Sequence, residues 1–160
     1  MRVLLLSAIL FLISCKSNEA TTPVETAPKS ISFNQLNAGT NGRFEANEYQ
    51  VISNEQEFKK VWDLAFANFM DKEPFPSVSF ETQLVLLVAM GERNSGGYNI
   101  SIKSIDETKT NVVVTVEESK PGSTCITTTV MAYPYQIVTI DKSKKEVTFK
   151  KTEKVIECEK

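Results

Sequence analysis

The sequence predicts a mainly β fold of the α+β class: an antiparallel sheet or partly closed barrel of about six or seven strands with one packed helix. Three observations carry this expectation. Beyond Pro76 the apolar residues recur at every second position, the links between those runs are short, and only one stretch repeats at helical spacing.

The elements follow in chain order. Residues 37–41, Asn-Ala-Gly-Thr-Asn, are turn chemistry, Gly42 is a further permissive point, and residues 49–52 form a short candidate strand. Ser53, Asn54, Glu55 and Gln56 then resemble a capping box, in which the Ser53 hydroxyl accepts from an orphan amide and Gln56 reaches back. After them Phe58, Val61, Trp62, Ala65, Phe66 and Phe69 stand at offsets of 0, 3, 4, 7, 8 and 11, one face of a 3.6-residue period. A lone helix in a β-rich chain has to bury that stripe against a sheet, so the aromatics read as core rather than as a ligand groove. Pro74 and Pro76 close the segment.

Residues 84–90 are almost continuously apolar, as in a central strand buried on both faces. Tyr98, Ile100 and Ile102 alternate with polar residues, and so do Val112, Val114 and Val116. Ile126, Thr128 and Val130 suggest another strand, and residues 135–140 and 147–149 two more. The links at 106–109, 119–123 and 141–145 have the length of hairpin connections, which favours a mostly antiparallel sheet.

The N-terminus has a different character. Arg2 precedes an apolar run over residues 3–13, and Ser14 stands directly before Cys15. A run of about eleven residues falls short of the roughly 20 needed to span a bilayer as a helix, so residues 1–14 read as a signal peptide. The stretch Leu12-Ile13-Ser14-Cys15 resembles the lipobox of bacterial lipoproteins, which implies that Cys15 is lipidated and becomes the new N-terminus. An ordinary cleaved signal or a buried apolar strand would leave the position of Cys15 unexplained. The acyl chains would anchor the protein durably, since each buried methylene contributes about 0.8 kcal/mol. Residues 15–31, with Thr21-Thr22-Pro23 and Ala27-Pro28, read as the lipidated cysteine and a flexible tether, leaving residues 32–160 as a single β-rich domain. Lys16 is not the acidic residue that resembles an inner-membrane retention signal, so the expected location is the cell envelope, with the outer membrane preferred.

Charge and composition exclude several functions. Eighteen Lys and Arg against 20 Asp and Glu give a net charge of -2, which offers no basic field for nucleic acid. The chain has no histidine, which removes Ser-His and Cys-His nucleophiles and the usual zinc ligand. Asp106-Glu107 and Glu117-Glu118 are adjacent carboxylates, but neighbours on a strand point to opposite faces and both pairs abut expected turns, so solvated edges are the reading. No glycine loop has phosphate-binding spacing, and no acidic run has calcium-loop spacing. The expectation is a protein without catalytic residues, metal or cofactor. With Cys15 lipidated, Cys125 and Cys158 remain as the pair for one disulfide in an exported compartment; the alternative is that both are free.

The distinctive segment is Gly91-Glu92-Arg93-Asn94-Ser95-Gly96-Gly97-Tyr98, where three glycines in seven positions call for unusual backbone geometry or a close approach. An apolar strand ending in Gly-x-Arg, then Ser-Gly-Gly-Tyr-x-Ile, then Pro121-Gly122 and Tyr133-Pro134-Tyr135-Gln136-Ile137-Val138, resembles the C-terminal domain of the PrcB family over roughly residues 75–149. Where that family commonly has Asp-Phe ahead of the buried strand, this chain has Ser79-Phe80. The resemblance implies a bacterial lipoprotein that binds and stabilises an exported partner protein, with a protease complex as the class of partner. It carries over no catalytic residue. Arg93, Gly96, Gly97 and Tyr98 lead the candidate partner-binding residues, followed by Gly122, Tyr133, Pro134 and Tyr135, because Arg and Tyr combine area with hydrogen bonding at interfaces. The alternative is a chagasin-like protease inhibitor, which requires all three loops to cluster at one end of the fold.

Overall fold

The computed structural model describes residues 27–158. The expected signal peptide, the Cys15 lipidation site and most of the expected tether lie outside the described residues. The order of elements is β1 (Lys29–Ser30), β2 (Asn34–Gly39), β3 (Asn47–Ile52), α1 (Glu55–Ala65), β4 (Gln83–Met90), β5 (Asn99–Glu107), β6 (Asn111–Pro121), β7 (Tyr135–Asp141) and β8 (Glu146–Ile156). The fold is mainly β, as expected, but it is two stacked four-stranded sheets rather than a closed barrel. One sheet runs β1-β5-β6-β8 and the other β2-β7-β4-β3.

Three layers result. In β4, Val85, Leu87 and Ala89 face α1, and Leu84, Leu86, Val88 and Met90 face the first sheet. Every residue from Leu84 to Met90 is buried, because this strand is the middle of the middle layer. Tyr135 and Ile137 of β7 join the helix-side core, while Val138 and Ile140 join the inter-sheet core with Ile100, Ile102, Ile105, Val112, Val114 and Val116. Gln136 points between the sheets, where its Oε1 accepts from the Ile102 amide at 2.7 Å and its Nε2 donates to Gln35 Oε1 at 2.7 Å. That side chain satisfies a buried backbone donor at the outer edge of β5.

Helix α1 buries Phe58, Val61, Trp62 and Ala65, and the C-cap Phe66 is buried with them. Its start is one residue later than the capping box predicts. Asn54 is the N-cap, in extended conformation, and its side chain accepts from the Glu57 amide at 2.9 Å. The helix ends at Ala65, so Phe69, the last position of the predicted stripe, is 44% exposed, with its ring 5.6 Å from that of Phe66.

Pairing among the strands is mostly antiparallel, as expected, with β6 and β8 alone running parallel, in unbroken register from Asn111↔Glu146 to Pro121↔Ile156. One expected hairpin link and one expected strand are corrected. The short link at 142–145 is not a hairpin, because it carries the chain from β7 in one sheet to β8 in the other. With β7 returning through the opposite layer, β6 and β8 travel in the same direction. Residues 126–130 are not a strand: Ile126 is fully exposed at 101%, and Thr128 offers only a single bond, from the Gly96 amide at 2.9 Å. Without a neighbouring strand, alternation alone does not make a ladder.

The sequence missed β1 and β2. Lys29 and Ser30 pair with Glu107 and Asp106, so the extended segment joins the first sheet before residue 32. They sit at the far end of β5 from Asn99, which pairs with Ser119.

Candidate functional site

At the Asn99 end of the sandwich the chain leaves the sheets through glycines. Gly91 has φ +79°, and a Cβ there would lie 2.8 Å from the Asn47 amide nitrogen. Gly97 has φ +88°, with Pro121 and Thr127 each 3.3 Å from where a Cβ would stand. Both positions therefore need glycine for conformation and for space. Arg93 and Ala132 exchange two backbone bonds of 2.8 Å, and the Met90 amide donates to the Pro134 carbonyl at 2.8 Å. The Gly122 amide continues the β6–β8 ladder onto the Ile156 carbonyl at 2.9 Å. Cys125 and Cys158 are joined by a disulfide, their Cα atoms 5.0 Å apart, which ties the 123–131 segment to the chain after β8.

This framework holds a cleft of about 220 Å³ lined by Arg93, Tyr98, Glu118, Lys120, Lys151 and Glu153, with Met90 beneath. The Arg93 guanidinium lies 5.7 Å from the centre of the Tyr98 ring, and its Nη1 donates to the Glu92 carbonyl at 2.7 Å. Glu118 is 6% exposed and fully engaged: Oε1 accepts from Asn47 Nδ2 and the Tyr49 hydroxyl, both at 2.6 Å, and Oε2 stands 3.5 Å from Lys151 Nζ. Lys151 also pairs with Glu153 at 2.8 Å. Burial, followed by the bond to Glu118, pushes the Tyr49 phenol well above its ordinary value. The hydrogen bond to Glu153 raises the Lys151 ammonium and lowers the Glu153 carboxyl.

The sequence-predicted residues divide between this end and the core. Arg93 and Tyr98 line the cleft, Gly96 and Gly97 form the loop behind it, and Gly122 closes the adjoining end of β6. Tyr133 is half-buried and donates its hydroxyl to Glu92 Oε2 at 3.0 Å, the bond that chiefly raises its phenol. Pro134 and Tyr135 are corrected: both are buried and cannot present themselves to a partner. Tyr135 is 3% exposed, packs its ring 4.9 Å from that of Phe44, and donates to Asn37 Oδ1 on the helix side. Its phenol is pushed up to about 12 by burial and by the charge of Glu73.

Glu118 is the main residue that sequence reasoning misplaced. Strand β6 continues to Pro121, so the inward alternation of Val112, Val114 and Val116 carries Glu118 inside. Its neighbour Glu117 stays at the surface, 3.5 Å from Lys103. Lys120, Lys151 and Glu153 were also missed, since nothing in the sequence places β8 beside β6. Among the described residues no group of three or more side chains is placed to hold a metal, and no helix is long and apolar enough to cross a membrane.

The fold and site define a two-sheet β protein covered by one helix, with a small cleft of mixed charge at the glycine-rich end. Residues 84–141, from the first residues of β4 to the end of β7, match the family model described as PrcB C-terminal; this segment is a PrcB-type C-terminal domain. The match contains the 91–98 loop and the 121–134 segment but not β8, which supplies Lys151 and Glu153. No curated protein and no solved structure matches the chain.

Proposed function

We propose that this protein is a non-catalytic lipoprotein, anchored in the bacterial envelope through Cys15, whose domain binds and stabilises an exported partner, with a protease complex as the class of partner. The observation that carries the reading is the convergence of the 91–98 loop, the end of β6 and the 123–133 segment at one end of the sandwich. There, backbone bonds and the Cys125–Cys158 disulfide hold a surface that exposes Ile126, Val130 and Met131. Prearranged loops lower the ordering cost of association. The PrcB-type match and the lipobox-like Cys15 support the same reading from the sequence side.

The chagasin-like alternative gains no support. Loops gathered at one end suit a docking module equally well, and its third loop would be built on Pro134, which is buried.

The test is cross-linking in the native envelope followed by quantitative mass spectrometry. Wild-type protein should enrich one exported partner; Ile126→Ser with Val130→Ser should lose that enrichment without a change in thermal stability. Tyr98→Ala is a poor probe, because that ring packs against the inter-sheet core. Equal enrichment by the double variant would remove this face from consideration, and absence of any enriched partner would remove the reading itself. Cys15→Ser should leave the protein unlipidated and release it from the membrane fraction; a membrane-bound variant would refute the anchor.

A further inference from the structure

We infer that the cleft beside Arg93 is a subsite for a single carboxylate on an extended peptide. The inference deepens the partner-binding reading, on which it rests for the source of its ligand. Its lining carries three cations, Arg93, Lys120 and Lys151, and two carboxylates, Glu118 and Glu153, so three less two leaves one positive charge unbalanced. The distribution within the cleft is uneven. Glu118 is saturated by Asn47, Tyr49 and Lys151, and Lys151 is shared between Glu118 and Glu153. Among the described residues, neither Arg93 nor Lys120 forms an ion pair. Arg93 spends one nitrogen on the Glu92 carbonyl and is steadied by the Tyr98 ring, which leaves N–H donors of its planar fork for an incoming anion.

Size and charge select the ligand. At about 220 Å³ the cleft is smaller than the roughly 300–1,000 Å³ of ordinary small-molecule sites, and it suits one terminal residue or one acidic side chain. A phosphate dianion would bring two charges against a surplus of one and face the Glu153 carboxylate, whereas a carboxylate monoanion matches the surplus. The half-buried Tyr98 ring, with the buried Met90 beneath it, gives the methylenes beside that carboxylate an apolar wall. The glutamate side chain and the free C-terminus of a peptide share this chemistry, so both are candidates as its source.

Binding of labelled tetrapeptides to the full chain in detergent micelles tests the inference. Two matched pairs serve as probes: an alanine peptide with free or amidated C-terminus, and an amidated peptide ending in glutamate or glutamine. At least one acidic member should bind about tenfold or more tightly than its neutral counterpart, and the pair that does so names the source. Arg93→Gln and Lys120→Gln should each weaken that binding about tenfold with the unfolding midpoint unchanged, while Lys142→Gln, remote from the cleft, should do nothing. Equal affinity within both pairs, displacement by inorganic phosphate as effective as by acetate, or undiminished binding by Arg93→Gln would overturn the subsite. Partner capture in the envelope without peptide discrimination would sink this inference alone. Discrimination without any captured partner would sink the partner reading and leave the cleft.

Discussion

Glu118→Ala should be the most damaging single change at the cleft, and its cost follows from the bonds around that carboxylate. Hydrogen bonds to a charged group contribute roughly 1.5–3 kcal/mol, and a buried donor left without an acceptor costs about 1–3 kcal/mol. Asn47 faces solvent and regains water when the carboxylate is removed, so its share largely returns. The Tyr49 hydroxyl is half-buried, 2.6 Å from Glu118 and beneath the Phe149 ring 5.5 Å away, and has no such recourse. The pair with Lys151 adds little, because that side chain is 44% exposed and its charge is screened. The expected loss is roughly 2–3 kcal/mol, or about 6–15 °C in the unfolding midpoint for a domain of this size. Glu118→Gln keeps an acceptor for Asn47 and Tyr49 and gives up only the screened ion pair, so it should cost much less than Glu118→Ala. Urea denaturation of Glu118→Ala, Tyr49→Phe and the double variant forms a cycle with an expected coupling of about 1–2 kcal/mol. A Glu118→Ala variant within about 0.5 kcal/mol of wild type, or a coupling near zero, would refute the argument.

Three further outcomes follow from features already described. Cys125→Ser with Cys158→Ser opens a loop spanning 33 residues and should destabilise by about 3–4 kcal/mol on the chain-entropy account, measured by denaturant midpoint at fixed pH. Gly97→Ala should cost about 1–3 kcal/mol through its positive φ and the nearby Pro121, and Gly91→Ala more, because its added Cβ meets backbone that cannot rotate away; equal midpoints for either variant and wild type would refute this. Tyr135 has a raised folded value, so its stabilising contribution is complete below the ordinary phenol value of 10.0 and is lost as pH climbs toward about 12. Stability should fall across that window, and less steeply in Tyr135→Phe, which urea midpoints between pH 9 and 12 can check.

Much of the fold is legible in the sequence. The continuous apolar run of β4 announced a strand buried on both faces, and the aromatic stripe announced a helix lying on a sheet, because burial imposes those patterns directly on sequence. The parallel β6–β8 pair could not be read, since a four-residue link looks the same whether it turns back within one sheet or crosses to the next. Ile126, Thr128 and Val130 suggest a strand, yet strand formation depends on a neighbour that local sequence does not specify. For the site, Arg93, Gly97 and Tyr98 are legible as loop and cleft residues because closely spaced glycines followed by an Arg and a Tyr stand out in the sequence. Glu118 is not, because Pro121-Gly122 reads locally as a turn. Proline closes β6 at its last position instead, and the carboxylate falls on the inward register. Tyr135 misled for a similar reason: an aromatic beside proline looks like an exposed loop, but it is the first residue of β7.

The placement of β1 gives the domain a direction. The chain enters the sheet at Lys29, opposite Glu107, while the cleft, the disulfide and Ile126 lie beyond Asn99, the other terminus of β5. Nine residues of strand separate the two, about 30 Å at an ordinary rise per residue. On the proposed anchoring at Cys15, the tether would join the domain at one pole while the apolar loop tip and the carboxylate subsite occupy the other. The length of the sandwich then separates Ile126 from the point of attachment, so the strands serve as a spacer as well as a scaffold.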